Sequence, residues 1–113
     1  MKKANHLNLN ALQSRTLVLL QELARNPETS ARDEETGDIE ITSLPHAHGD
    51  HMHIGRYVVS ARDASGFSNP AVWAALTRKG LAKAEYPYRL SLTPLGLSYD
   101  TGLGEPEMHD SDH

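Results

Sequence analysis

Leu12, Leu19, Leu20 and Leu23 recur near helical spacing, and Asn10 with Gln13 three residues later offers a capping box at their start. The pattern predicts a first helix from residue 10 to about residue 25. Asn26-Pro27 ends it, because the residue before a proline is pushed out of the helical region. The run over residues 28–37 is almost wholly polar and is expected to be a loop, having little to bury. Ile39 and Ile41 then alternate with charged or hydroxyl residues, the mark of a half-buried strand over residues 38–43.

Residues 56–64 read two ways. Tyr57, Val58 and Val59 suit a strand, yet a short helix is expected there because the following segment supplies its partner. Residues 64–68 contain the glycine of a turn between crossed helices. Beyond them Ser68 or Asn69 is placed to cap a helix, with Pro70 in its first turn and Gly80 as its stop. Val72, Trp73 and Leu76 form the buried stripe. Strands over residues 81–84 and 88–92 flank a Glu85-Tyr86-Pro87 turn, and Thr93-Pro94 opens a last helical turn carrying Leu95, Leu97 and Tyr99.

Four of the seven histidines lie in the stretch Pro-His-Ala-His-Gly-Asp-His-Met-His-Ile, residues 45–54. Gly49-Asp50 is a dipeptide that closes a two-residue hairpin. With the turn there, His48 faces His51 and His46 faces His53, so all four imidazoles emerge on one side of the ribbon. Met52, Ile54, Pro45, Ile39 and Ile41 fall on the other. Cross-strand imidazoles are close enough to share a zinc, nickel or copper ion, with Asp50 as an oxygen donor. His46, His48, Asp50, His51 and His53 are therefore the candidate metal ligands.

The length of 113 residues suits one domain with a modest core. Absence of cysteine excludes disulfides and thiolate metal sites. No apolar run is long enough for a membrane span or signal peptide, so a cytoplasmic location without a membrane partner is expected. The net charge of −4 is unevenly spread. Acids dominate residues 28–40 and 105–113, whereas residues 54–93 hold Arg56, Arg62, Arg78, Lys79, Lys83 and Arg89 against Asp63 and Glu85. Such a basic segment can meet phosphate.

The order helix, strand, helix, helix, strand, strand, with Gly80-Leu81-Ala82 before the hairpin and Leu92-Thr93-Pro94-Leu95-Gly96 after it, resembles MarR-type winged-helix regulators over residues 56–97. The resemblance implies an α+β fold: a small winged-helix domain with a histidine-rich β-hairpin between helix one and the helix-turn-helix. Residues 68–79 would then be the recognition helix. Ser68, Asn69, Thr77, Arg78 and Lys79 become candidates for double-stranded DNA, and Arg89 on the wing a candidate for phosphate. Residues 1–8 are expected as a flexible leader, 9–100 as the domain and 101–113 as a disordered acidic tail.

The string His46-Ala-His48-Gly-Asp50-His51 is also similar to the metal motif of the metallo-β-lactamase superfamily. It covers six residues and is read as convergent, since that superfamily needs a longer chain and further ligands. The expected function is a DNA-binding regulator or accessory factor, responsive to a transition metal and open to homodimerisation. One alternative is a non-enzymatic interaction module whose Phe67, Trp73 and Tyr86 meet a protein partner. The other is a metal-dependent hydrolase; no further catalytic set is assembled.

Overall fold

The structure, a computed structural model, describes residues 4–45, 49–54, 57–103 and 109–110. Among them are three α-helices and two antiparallel sheets, a small α+β domain. Helix α1 (Ala11–Ala24) begins at the expected capping box: Asn10 Oδ1 accepts from Gln13 N–H at 2.8 Å, and Gln13 Oε1 accepts from Asn10 N–H at 3.0 Å. Thr16, Leu17, Val18, Leu19 and Leu20 are consecutive and all buried, so the helix runs through the interior with neighbours on several sides.

Ser30–Arg32 (β1), Ile39–Ile41 (β2), Ala82–Glu85 (β5) and Arg89–Leu92 (β6) form the larger sheet, in the order β1-β2-β6-β5. Ile41, Ala82, Leu90 and Leu92 turn inward against α1 and helix α2 (Pro70–Arg78). The strand β1 replaces the loop expected over residues 28–37. A turn that Asp33 organises makes it: Asp33 Oδ1 accepts from Glu35 N–H at 2.9 Å, Gly37 N–H donates to Asp33 O at 2.8 Å, and Gly37 sits at φ +78°. Pairing across that turn satisfies backbone groups without apolar side chains, a gain that side-chain patterning does not register.

His51–Ile54 (β3), Tyr57–Ser60 (β4) and His109–Asp110 (β7) form the second sheet, in the order β3-β4-β7. The helix expected over residues 56–64 is therefore not formed. Residues 57–60 are strand, 61–64 are turns, and Ser65–Ser68 is a single 3-10 turn. Val59, with χ1 stiffened by branching, buries beside Ile54 on the paired ribbon, and this outweighs continuing a helix. The strand partner of β3 lies downstream, with His51 opposite Ser60 and His53 opposite Val58. Gly49 has φ +70° and Gly49-Asp50 is a turn, but His46, Ala47 and His48 fall outside the described residues, and with them the expected hairpin and its pairing of four imidazoles.

Asn69 caps α2 by accepting from Ala71 N–H at 2.9 Å, and Pro70 follows at its first position. The helix ends as expected at Gly80, φ +77°, where Leu81 N–H donates to Leu76 O and Gly80 N–H to Thr77 O. The short helix α3 (Pro94–Ser98) locks this junction. Thr93 Oγ1 donates to Gly80 O at 2.7 Å and accepts from Gly96 N–H at 3.1 Å, while Gln21 Nε2 on α1 donates to the carbonyls of Gly96 and Tyr99. Residues 5–9, read as part of a leader and the start of the domain, contact the far end of the chain. Asn5 N–H donates to Asp100 O at 2.7 Å, and Tyr99 Oη bridges Leu7 N–H and Asn5 Oδ1. Among the described residues no helix is long and apolar enough to cross a membrane.

Candidate binding surface

Helix α2 presents Pro70, Ala71, Ala74, Thr77 and Arg78 outward while Val72, Trp73, Ala75 and Leu76 go inward. Between its outer edge and the β5–β6 hairpin runs a groove lined by Pro70, Trp73, Ala74, Thr77, Arg78, Ala84 and Tyr86. Trp73, 3% exposed, forms its floor, and its indole N–H donates to Phe67 O at 3.1 Å. Tyr86 stands edge-on to that indole, ring centres 4.8 Å apart, and its hydroxyl donates to Ser68 O at 2.8 Å. Hairpin and helix are thus fixed to each other, and the wall between them is aromatic. A second hollow lies on the other side of the hairpin, where Tyr88, 85% exposed, stands with Ile41, Leu44, Trp73 and Arg89.

Most of the residues expected to read DNA have local duties. Ser68 Oγ donates to Ser65 O at 3.2 Å, Asn69 caps α2, and Thr77 Oγ1 donates to Trp73 O at 2.8 Å. Lys79 Nζ donates to Leu7 O at 2.7 Å, and Arg89 Nε lies 3.8 Å from Glu40 Oε2. Lys83 is paired with Asp38, Nζ to Oδ2 at 2.7 Å, and this hydrogen bond holds the Asp38 carboxyl below its ordinary pKa against the opposing effect of burial. Arg78 is exposed on the groove rim and, among the described residues, makes no ion pair.

Of the aromatic residues expected to meet a partner, Phe67 and Trp73 are core, and Tyr86 at 39% exposure is available. Tyr88, on the same hairpin, is the most exposed of the large hydrophobic residues described. Its place at the hairpin tip, where β-turn residues stay solvated, is the signal that points to it.

Elsewhere, His51 and His53 emerge from β3 on the face opposite buried Ile54, with ring centres 5.3 Å apart and planes at 82°. Asp50 Oδ1 is 3.6 Å from His51 Nδ1. Among the described residues no group of three or more histidine, cysteine, aspartate or glutamate side chains is arranged to hold a metal ion. Beneath the strand a hollow is lined by Leu12, Arg15, Asp50, Ser60, Arg62 and Asp63, where Arg15 and Asp63 pair at 3.1 Å. Its charges balance, which gives it no preference for an anion or a cation.

No protein-family model, curated protein or solved structure matches the chain.

Proposed function

We propose that this is a winged-helix-like binding module without enzymatic activity, and that the groove between α2 and the β5–β6 hairpin takes an apolar segment of a protein partner bearing an acidic residue. The winged-helix part rests on strand order alone, since strand and turn stand in place of the expected first helix of a helix-turn-helix: β2, which lies between α1 and α2 in the chain, pairs with β6, and α2 leads directly into β5. The observation that carries the protein partner is the use of the cations. Lys79, Lys83 and Arg89 face groups of their own chain, so the surface that would approach a duplex has little charge to spend on phosphate. What it offers is an aromatic floor, small alanine walls and a single guanidinium at the rim. That combination matches an aromatic or aliphatic anchor followed by a carboxylate.

Two selections on the full chain test this reading, one with a random duplex pool at low salt and one with a displayed peptide library. Peptides with an apolar anchor beside an acid are expected to enrich. Ala74→Arg, which fills the groove, is expected to weaken them by about tenfold or more, equivalent to about 1.4 kcal/mol. Enrichment of a duplex whose retention depends on Arg78, with no peptide selected, would overturn the proposal in favour of DNA binding.

A further inference from the structure

We infer that His51 and His53 form a two-imidazole chelate for a divalent transition-metal ion, zinc above all, on the outer face of β3. The inference is independent of the groove and of what the groove binds. Residues two apart on a strand project from the same face, and here the alternation is anchored on its other side by Ile54, which is 0% exposed, and by half-buried Met52. The histidines therefore cannot exchange faces without expelling core.

The distance between the rings permits the chemistry. An ion bound at about 2.0–2.1 Å by two imidazole nitrogens at a tetrahedral angle separates the ring centres by about 5 Å. At the right angle of a square-planar or octahedral ion, the same bonds bring them to about 4.5 Å. The observed 5.3 Å is within reach of the tetrahedral case and is also the spacing of an edge-to-face ring pair. Both rings are open to solvent, His53 being exposed and the His51 side chain 43% exposed, so an ion reaches them without local unfolding. Asp50, fully exposed beside His51, adds a negative charge next to the chelate.

The strand is tied to α1 at the surface. His51 is paired with Ser60, whose Oγ accepts from Asp63 N–H at 3.1 Å, and Asp63 in turn holds Arg15 of α1.

The test is titration of the full chain with zinc chloride, followed by calorimetry and by amide chemical shifts. One ion is expected to perturb His51, His53 and their cross-strand partners Ser60 and Val58. His51→Gln and His53→Gln, exposed polar replacements, are each expected to weaken it at least about tenfold, the scale on which even indirect partners of a metal act. His6→Gln, on a ring that stacks near Tyr99 instead, is expected to leave it unchanged. Shifts that bypass β3, or an affinity unaltered by both β3 variants, would overturn the assignment and place any ion on other histidines of the chain. Absence of binding at neutral pH would overturn it equally.

Discussion

Gly96 sits where no side chain fits: a Cβ built there would overlap the carbonyl oxygen of Leu81. Helix propensity alone favours alanine at a helical glycine by about 0.5–1 kcal/mol. Contact with a backbone oxygen, which cannot swing aside as a side chain would, opposes that gain. Gly96→Ala is therefore expected to destabilise the domain by about 1–3 kcal/mol, the cost of overpacking, despite the better helix former. Urea unfolding followed by circular dichroism checks the sign, and a stabilised variant would show that α3 can move off the junction. The same contacts give the string Leu92-Thr93-Pro94-Leu95-Gly96 a structural reason. Thr93 clasps Gly80 and caps α3, while Gly96 lets Leu81 approach, so the string is a structural fastening and says nothing by itself about nucleic acid.

Between elements, the Asp38–Lys83 pair joins the residue just before β2 to β5 across the intervening β6. Asp38 has a lowered pKa in the folded chain, mainly through the Lys83 hydrogen bond. A carboxyl so depressed contributes stability that is present above its unfolded pKa and is lost as pH falls through the folded one. Lys83→Met is accordingly expected to unfold at lower urea than the parent at neutral pH, with the gap closing as the carboxyl protonates. A gap that persists through the acid range would mean the lysine acts through packing alone. Elements with end signals were legible in the sequence: Asn10 and Gln13 mark the start of α1, Asn69, Pro70 and Gly80 bracket α2, and Tyr86-Pro87 marks the hairpin turn. Those that depend on a distant partner were not. Strand β1 exists because β2 lies beside it, and β4 because β3 does. The candidate site divided the same way. Which face of α2 is outward followed from its spacing, but that Lys79 would reach Leu7 and Tyr86 would reach Ser68 depends on how remote segments meet, which periodicity does not encode.

Across the whole molecule, α1 is the element on which both sheets rest, meeting β1, β2 and β6 of one and β3 of the other as well as α2 and α3. Leu17 and Leu20 are fully buried at its centre. Leu20→Ala is expected to cost about 2–5 kcal/mol, the range for an emptied core position. Because the two sheets share this support, probes in each are expected to report one unfolding transition. Distinct midpoints for amides in β3–β4 and β5–β6 would show that the sheets hold independently. A small domain that spends its core around one helix keeps its outer faces available, and here those faces are unlike: aromatic and small by α2, imidazole-bearing by β3.

Trp73 is the chain's one indole, and it forms the floor of the groove with Tyr86 against its ring. Emission excited beyond the absorption of the four tyrosines thus originates at a single address, sealed from solvent in the native state and beside the groove. Occupancy and global melting leave different optical marks on the same fluorophore, so the domain carries its own dye and needs no label to be watched.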